Sequence, residues 1–379
     1  MSGLFQITEE QQSLVELIRD FMTKEIKPHV LEWEKAGQYP REIIDKGIEM
    51  GLHMMQVPEA YGGMGLDTTT TAMMIEEGAK VESTYLGLFN VTSMGGKIVM
   101  AAGSEKQKQY YAGLLQKGWL SAFCLTEPGA GSDSAAVRTT AVKKGDCYII
   151  NGTKMFITNA SLASVFLVVA SVDRSRGSRG LATFIVERDR PGVKVSKKID
   201  KFGMCLSNTA EVVFEDVEIP VFNMIGTEET GFANAMNVLT ASRPIIAASS
   251  LGACQLARDL AVQYSKERVA FGKPICTKQM IQEKIANMEI LIHAARGVVY
   301  NATMLLDQGF PCNKEASIAK CFATEAFSQI ADDALQIYGG YGLCNEYLIS
   351  KLYRDSRVNK IVEGTNEIQR VVISKAMLR

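Results

Sequence analysis

Hydrophobic positions change their spacing twice along this chain. From about residue 8 to 118, apolar residues such as Leu14 and Ile18 recur at intervals of three and four, and this spacing predicts amphipathic helices. From about 119 to 220, short runs rich in β-branched residues are separated by turn residues, which predicts a compact β module. From about 228 onward the helical spacing returns over longer stretches. The chain is therefore expected to be helical, then β, then helical.

Several element boundaries can be predicted within these zones. A helical pair is expected near residues 67–82 and 84–102, and a short polar helix is expected to open at Ser104. In the β module, the signals Lys144-Gly145-Asp146 and Asn151-Gly152 predict turns between apolar runs. The last zone is predicted to hold three long helices, at residues 230–267, 277–308 and 314–338.

These patterns predict an α+β multidomain fold. The predicted units are an N-terminal α-helical domain at residues 1–118, a middle β-barrel or sandwich domain at 119–225 and a C-terminal antiparallel helical bundle at 226–379, which the family resemblance given below implies to be a four-helix bundle.

Composition narrows the function classes. The 379 residues are 47% hydrophobic and 22% charged, which is ordinary for a globular protein. Lys and Arg number 41 against 42 Asp and Glu, so the net charge of -1 predicts no nucleic-acid partner. No apolar run reaches about 18 residues, and no membrane insertion is expected.

The cysteines and the N-terminus suggest a compartment. Eight cysteines are scattered without a CxxC pair, and there are only three histidines. This usage predicts free thiols in a reducing compartment and no metal site. The polar first residues lack the features of a signal or transit peptide, so a cytoplasmic location is expected.

A loop at residues 125–133, Leu-Thr-Glu-Pro-Gly-Ala-Gly-Ser-Asp, is the first candidate for chemistry. Its glycines allow backbone amides to approach a ligand, and Thr126 and Ser132 add hydroxyl groups. The alternative is an ordinary connection between strands. The loop is not a GxGxxG fingerprint, and no parallel-sheet pattern surrounds it, so a Rossmann fold is not predicted.

Four further residues carry similar alternatives. Phe156 and Thr158 end an apolar run, where they could stack on and bond to a planar ring or simply face the core. Arg243 lies in an otherwise apolar helical stretch, so it must contact a ligand or form a structural ion pair. Arg268 lies at the C-terminal end of the same predicted helix, where a cation also interacts favourably with the helix dipole.

The C-terminal region holds two further candidates. Residues 336–342, Gln-Ile-Tyr-Gly-Gly-Tyr-Gly, contain more glycines than a helix cap needs. Glu363 follows two apolar residues and precedes Gly364, just before a helix start at Thr365. Such a carboxylate could have a raised pKa and act as a base, or it could simply pair with the helix dipole.

Five ordered motifs together resemble the acyl-CoA dehydrogenase family, over residues from about 5 to 379. They are Thr-Glu-Pro-Gly-Ala-Gly-Ser-Asp from residue 126, Asn-Gly-x-Lys-x-Phe-Ile-Thr-Asn from 151, Arg-x-x-Phe-Gly from 268, Gln-x-x-Gly-Gly-x-Gly from 336 and Glu-Gly-Thr-x-Glu-Ile-Gln-Arg from 363. The resemblance implies FAD between the β module and the bundle. It also implies a glutamate that removes the α-proton of an acyl-CoA thioester while the flavin takes the β-hydride.

The resemblance assigns roles residue by residue. Glu363 matches the catalytic base, and Ser242 stands where some relatives carry that base instead. Ser132, Arg243 and Gly364 match positions near the acyl-CoA. The positions that match FAD contacts are Phe123, Leu125, Thr126, Ser132, Phe156, Thr158, Thr365 and Glu367. Those that match contacts to the FAD of a neighbouring subunit are Arg268, Phe271, Gln279, Gln336, Gly339 and Gly340.

The resemblance therefore implies an acyl-CoA dehydrogenase that forms the trans-2-enoyl-CoA and passes electrons to an electron-transferring flavoprotein. The alternative is an enoyl-CoA reductase that runs the reverse reaction in a complex with that flavoprotein, on an aryl or short-chain substrate and possibly with electron bifurcation. A homotetramer is also implied. Leu86 lies near where glutaryl-specific relatives carry an arginine, which argues against that dicarboxylate, and Asn90 and Thr92 add polarity to the segment that lines the acyl pocket in the family.

Overall fold

The computed structural model describes residues 7–378, so the predictions that fall on residues 1–6 and on Arg379 lie outside the described residues. The N-terminal layer is helical. Its helices are α1 Glu9–Phe21, α2 Val30–Ala36, α3 Arg41–Glu49, α4 Thr68–Ala79, α5 Tyr85–Ala102 and α6 Glu105–Gln116. The predicted start at Ser104 is confirmed, because its side chain and that of Gln107 form a capping box at the start of α6.

The middle of the chain forms one eight-stranded sheet. Its strands are β1 Ser121–Cys124, β2 Thr140–Lys144, β3 Cys147–Thr158, β4 Val165–Ser171, β5 Leu181–Glu187, β6 Val193–Val195, β7 Thr209–Pro220 and β8 Met224–Ile225. The strand order is β6-β7-β3-β2-β4-β5-β8. Strand β1 lies outside this order and pairs with β4 in parallel. Every residue of β4 and β5 is buried, so these two strands form the centre of the β module.

The turn predicted at Asn151-Gly152 is wrong. Both residues lie inside the continuous strand β3, where the register with β7 shifts between Ile150 and Gly152. The Asn151 side chain bonds to Asp216 on the facing strand, at 3.0 Å and 2.8 Å. A β-bulge needs the same permissive residues as a hairpin turn, so the local signal cannot distinguish them. The turn at Gly145 between β2 and β3 is present, and its φ is 59°.

The C-terminal part is helical, as predicted. Its helices are α7 Gly231–Glu267, α8 Gln279–Asp307, α9 Asn313–Tyr338, α10 Leu348–Asn359 and α11 Asn366–Met377, and a hairpin of β9 Val269–Ala270 and β10 Lys273–Pro274 follows α7. The helix α9 packs against all four of the others. Among the described residues, α7 is the one helix long and apolar enough to cross a membrane, but 67% of its most apolar 18-residue window is buried inside the protein. A helix with this degree of burial is a core helix of the bundle.

A buried polar network ties the three parts together. Lys351 Nζ in α10 donates to Glu82 at 2.8 Å and to Asp355 at 2.5 Å. Glu82 belongs to the N-terminal layer, and Asp355 accepts a bond from the backbone N–H of Met204 in the β module. Burial lowers the pKa of Lys351, but the two carboxylates outweigh it and raise that pKa overall. The network thus fixes the relative position of all three parts around one cation.

Candidate active site

Glu363 has a strained backbone between α10 and α11. Its φ is 57°, which is uncommon for a residue other than glycine, and Gly364 follows at 87°. The carbonyl of Gly364 accepts bonds from Lys320 Nζ and Gln369 Nε2, both at 2.9 Å, and Gln369 also bonds the Glu363 carbonyl at 3.2 Å. Lys320 and Gln369 are fully buried. Tertiary contacts therefore hold this backbone in a conformation that the local sequence disfavours.

The Glu363 side chain lies against α7. Its Oε2 accepts a bond of 2.7 Å from the hydroxyl of Ser242. Burial raises the pKa of the Glu363 carboxyl, while the Ser242 bond and the charges of Arg243 and Lys320 oppose that rise. A carboxyl whose pKa is raised binds a proton more readily, which suits it to proton transfer.

Arg243 is a buried cation without an ion pair among the described residues. It is 6% exposed, and its Nη1 donates to Asn313 Oδ1 at 2.8 Å and to Ser317 Oγ at 3.2 Å. Its Nε has no partner. Of the two alternatives for Arg243, the structural ion pair is not found, and an unused donor is left for a ligand. Pro244 comes next and removes one backbone N–H from the middle of α7.

Lys320 was not singled out from the sequence. It lies among buried alanines of α9, donates to Asn366 Oδ1 at 2.7 Å, and burial lowers its pKa to about 8. A lysine on an otherwise apolar helix face was the available signal, since such a group must be paired.

The loop at residues 125–133 follows β1 and lies beside β3. The Thr126 carbonyl accepts a bond from Met155 N–H at 2.8 Å. Glu127 is buried and accepts bonds from Lys154 Nζ at 2.8 Å and from Thr139 N–H at 2.9 Å. This ion pair was missed by sequence reasoning, although a lysine inside an apolar strand was a visible signal. It holds the loop whose exposed tip carries Ser132.

The backbone of this loop is accessible at its glycines. A Cβ added at Gly129 or at Gly131 would meet no atom within 4 Å. At the nearby end of β3, Phe156 has a φ of 59° and is 59% exposed, and Thr158 is the last residue of the strand. An accessible backbone, a protruding aromatic ring and two threonines fit a flat ligand with a polar edge, so these residues fit FAD.

Hydrophobic contacts link the loop at residues 125–133 to the part of α7 that carries Ser242. Phe123 and Leu125 share a cluster with Met236 and Leu239 of α7, and Ser242 follows three residues after Leu239. On the other side, Thr365 caps α11 by accepting a bond from Ile368 N–H. Glu367 is exposed in the first turn of that helix.

The remaining predicted cofactor residues lie elsewhere. They are all exposed and surround the other end of the bundle: Arg268, Phe271, Gln279, Gln336, Gly339 and Gly340. Arg268 lies 5.7 Å from the centre of the Tyr341 ring, in a groove of about 540 Å³. From Ser242 to the end of α7 at Glu267, the helix rises roughly 37 Å. The structure therefore separates the predicted residues into a Glu363 group and a Phe271 group at opposite ends of α7.

Family models match almost the whole chain. They are "Acyl-CoA dehydrogenase, N-terminal domain" at residues 8–118, "Acyl-CoA dehydrogenase, middle domain" at 122–217 and "Acyl-CoA dehydrogenase, C-terminal domain" at 229–378.

Curated relatives of similar length also match. An "Acyl-CoA dehydrogenase" of Bacillus subtilis is 43% identical, and a "3-(aryl)acrylate reductase" of Clostridium sporogenes is 42% identical, each over 98% of this chain and 99% of the relative. The "Caffeyl-CoA reductase-Etf complex subunit CarC" of Acetobacterium woodii is 39% identical over the same shares. The solved structure of butyryl-CoA dehydrogenase from Megasphaera elsdenii superposes with a TM-score of 0.96, at 39% identity and over 100% of both chains.

Proposed function

Because this chain belongs to the acyl-CoA dehydrogenase family, an FAD-dependent family of oxidoreductases, we propose that it dehydrogenates an acyl-CoA thioester to the trans-2-enoyl-CoA. The observation that carries this proposal is the Glu363 carboxylate, which is held by Ser242 at 2.7 Å in a site where burial raises its pKa. FAD, when bound, supplies the acceptor for the hydride that leaves the β-carbon of the substrate.

The protein's own residues handle the proton and the charge. Glu363 accepts the α-proton of the thioester, and its raised pKa leaves it able to return that proton in the reverse reaction. Arg243 offers an unused buried donor one residue from Ser242, which is suited to a polar part of the CoA chain. Ser132 and Gly364 are proposed to contact the thioester from opposite sides.

The separation of the two residue groups supports an assembly of several chains. One FAD cannot contact residues at both ends of a helix that rises roughly 37 Å between them while stacking on Phe156. The Phe271 group is exposed on the surface of the chain, so it would serve the FAD of a neighbouring chain. A homotetramer, as the family resemblance implies, would provide such neighbours. Electrons are proposed to leave through an electron-transferring flavoprotein, a partner that the Etf complex of the Acetobacterium woodii relative supports.

A second candidate is the reverse reaction on an aryl or short-chain enoyl-CoA. Two relatives, at 42% and 39% identity, are named as reductases of aryl-substituted substrates. Asn90 in α5 also favours a substrate with a polar group, since it is 8% exposed and makes no side-chain hydrogen bond among the described residues. Thr92 does not add to this polarity, because its hydroxyl accepts a bond from Ser121 N–H at 3.0 Å.

The experiment is an anaerobic titration of the FAD-loaded protein with acyl-CoA thioesters. The panel runs from butyryl-CoA through branched and cyclic chains to 3-phenylpropionyl-CoA. Bleaching of the flavin absorbance by one thioester supports the dehydrogenase and identifies the acyl class. If none bleaches it, the chemically reduced protein is offered the matching enoyl-CoAs, and reoxidation by one of them supports the reductase. Failure in both directions contradicts the proposed function.

A further inference from the structure

Ser242 has one hydroxyl proton and two acceptors within reach. Its Oγ lies 3.1 Å from the Leu239 carbonyl one turn earlier in α7 and 2.7 Å from Glu363 Oε2. The residue is 4% exposed, so water cannot readily supply a missing partner. A hydroxyl group can donate one hydrogen bond and accept others, so the state of Glu363 decides which arrangement forms.

Each protonation state of Glu363 has its own hydrogen-bond arrangement. When Glu363 is ionised, Ser242 donates to the carboxylate. When Glu363 holds the substrate proton on Oε1, Oε2 becomes a neutral acceptor, and Ser242 donates to it more weakly or turns its proton to the Leu239 carbonyl. The Leu239 carbonyl keeps a partner in either state, because it also lies where the regular helix bond from Arg243 N–H forms.

Ser242 also orients the carboxyl group. No hydrogen bond to Glu363 Oε1 is found within residues 7–378, so the serine holds one oxygen and leaves the other to face a substrate. Glu363 has a positive φ, and its side chain reaches Ser242 in the continuous helix α7. The charged groups that face the carboxyl are Arg243 from α7 and Lys320 from α9.

We propose that Ser242 is the positioning residue of Glu363: it fixes Oε2 so that Oε1 faces the substrate, and its hydrogen bond to Oε2 is strong while the base is ionised and weak once the base holds the substrate proton. The inference rests on the proposed function of Glu363 as the base. Ser242 lies on α7, 121 residues away from Glu363 in sequence. A hydrogen bond to an ionised acceptor is stronger than one to a neutral acceptor, so Ser242 stabilises the ionised form of Glu363.

The test uses Ser242→Ala and two partial replacements. Ser242→Thr keeps the hydroxyl, and Ser242→Cys keeps the shape but donates weakly. Ser265→Ala is the matched control, because Ser265 is fully buried in the same helix and bonds the carbonyl three residues earlier at 2.8 Å, but contacts no carboxylate. Protonation of Glu363 is followed in the FAD-loaded protein by pH-difference infrared spectra of its carboxyl band, which is assigned by its loss in Glu363→Gln.

In Ser242→Ala the midpoint of this band is expected to move to higher pH, with proton affinity about tenfold higher, equivalent to ~1.4 kcal/mol. Ser242→Cys should lie in between, and Ser242→Thr and Ser265→Ala should match the wild type. The pH profile of flavin reduction by butyryl-CoA or 3-phenylpropionyl-CoA should move in parallel. An unchanged midpoint in both Ser242→Ala and Ser242→Cys, or an equal shift in Ser265→Ala, overturns the proposal.

The infrared titration needs no turnover, so it separates the two hypotheses. A wild-type protein that neither thioesters nor enoyl-CoAs affect would contradict the proposed function, while the infrared band would still show whether Ser242 sets the protonation of Glu363.

Discussion

The two ends of α7 carry two groups of predicted cofactor residues that differ in how far one chain completes them. In the Glu363 group, Ser242 and Arg243 are buried, and their hydrogen bonds reach Glu363 and Asn313. In the Phe271 group, Phe271 is 95% exposed, and a Cβ added at Gly340 would meet no atom within 4 Å. The first group is organised by tertiary contacts within the chain, whereas the second offers surface to something outside it.

This difference shows that matching residue types do not imply the same kind of site. Phe156, Phe271 and Glu363 are three of the six residues other than glycine with a positive φ in the described chain. At Glu363 buried side chains hold the strained backbone, but Phe271 stands on the short hairpin after α7 with little around it. Phe271 and Gly272 form the two-residue turn of this hairpin, where a positive φ is ordinary, so the 95% exposure of Phe271 is the feature that points to a partner.

The largest expected effect tests the buried end. Glu363→Gln keeps the shape of the side chain but cannot accept a proton, so flavin reduction by the active thioester should fall about 10²–10⁴-fold while FAD remains bound. Stopped-flow absorbance measures the rate, and the visible spectrum measures the FAD. Glu25→Gln is the control, since that carboxylate pairs with Lys46 at 2.6 Å in the N-terminal layer. A normal rate in Glu363→Gln would show that another group is the base.

The next effect tests whether the buried end depends on tertiary contacts. Lys320→Met removes one of two donors to Asn366 Oδ1 and one of two donors to the Gly364 carbonyl. The free energy of local opening around residues 360–370 should fall by about 1–3 kcal/mol, as measured by hydrogen–deuterium exchange. Lys314→Met is the control, because Lys314 is partly exposed at the start of the same helix and pairs with Glu315. Equal exchange in both variants would mean that the loop keeps its conformation without Lys320.

The smallest effect tests the open end. Gly340→Val adds a side chain where there is space and no positive φ, so the stability of the single chain should change by no more than about 0.5 kcal/mol. If this face receives the cofactor of a neighbouring chain, FAD affinity should fall about tenfold, or ~1.4 kcal/mol. Equilibrium dialysis measures the affinity, and light scattering the assembly. Gly113→Val is the control, since Gly113 on α6 also has open space. Unchanged affinity and assembly would remove the reason to treat the two ends as parts of one site.

Much of the secondary structure could be predicted from spacing. The expected helix at residues 230–267 is Gly231–Glu267, and that at 314–338 is Asn313–Tyr338. Helix periodicity and caps are local properties, so they are visible in the sequence. The turn predicted at Asn151-Gly152 was wrong because a bulge and a turn share their residue preferences. Only the pairing of β3 with β7 decides between them.

Parts of the candidate site were predictable for the same reason. Glu363 stands out by its apolar neighbours and its place before a helix cap, and the order of the five motifs carries the family resemblance. Lys320 and Gln369 were not predicted, since nothing local shows that their side chains bond to the carbonyl of Gly364.

By itself the sequence determined the helix–β–helix order, the family and the residue types available for proton transfer. The tertiary structure alone decided that Ser242 touches Glu363, that burial raises the pKa of that carboxyl, and that the predicted cofactor residues divide into two separate groups along α7. The physical reason is range: periodicity, caps and turn chemistry act over a few neighbouring residues, whereas desolvation and hydrogen bonding join groups more than a hundred residues apart.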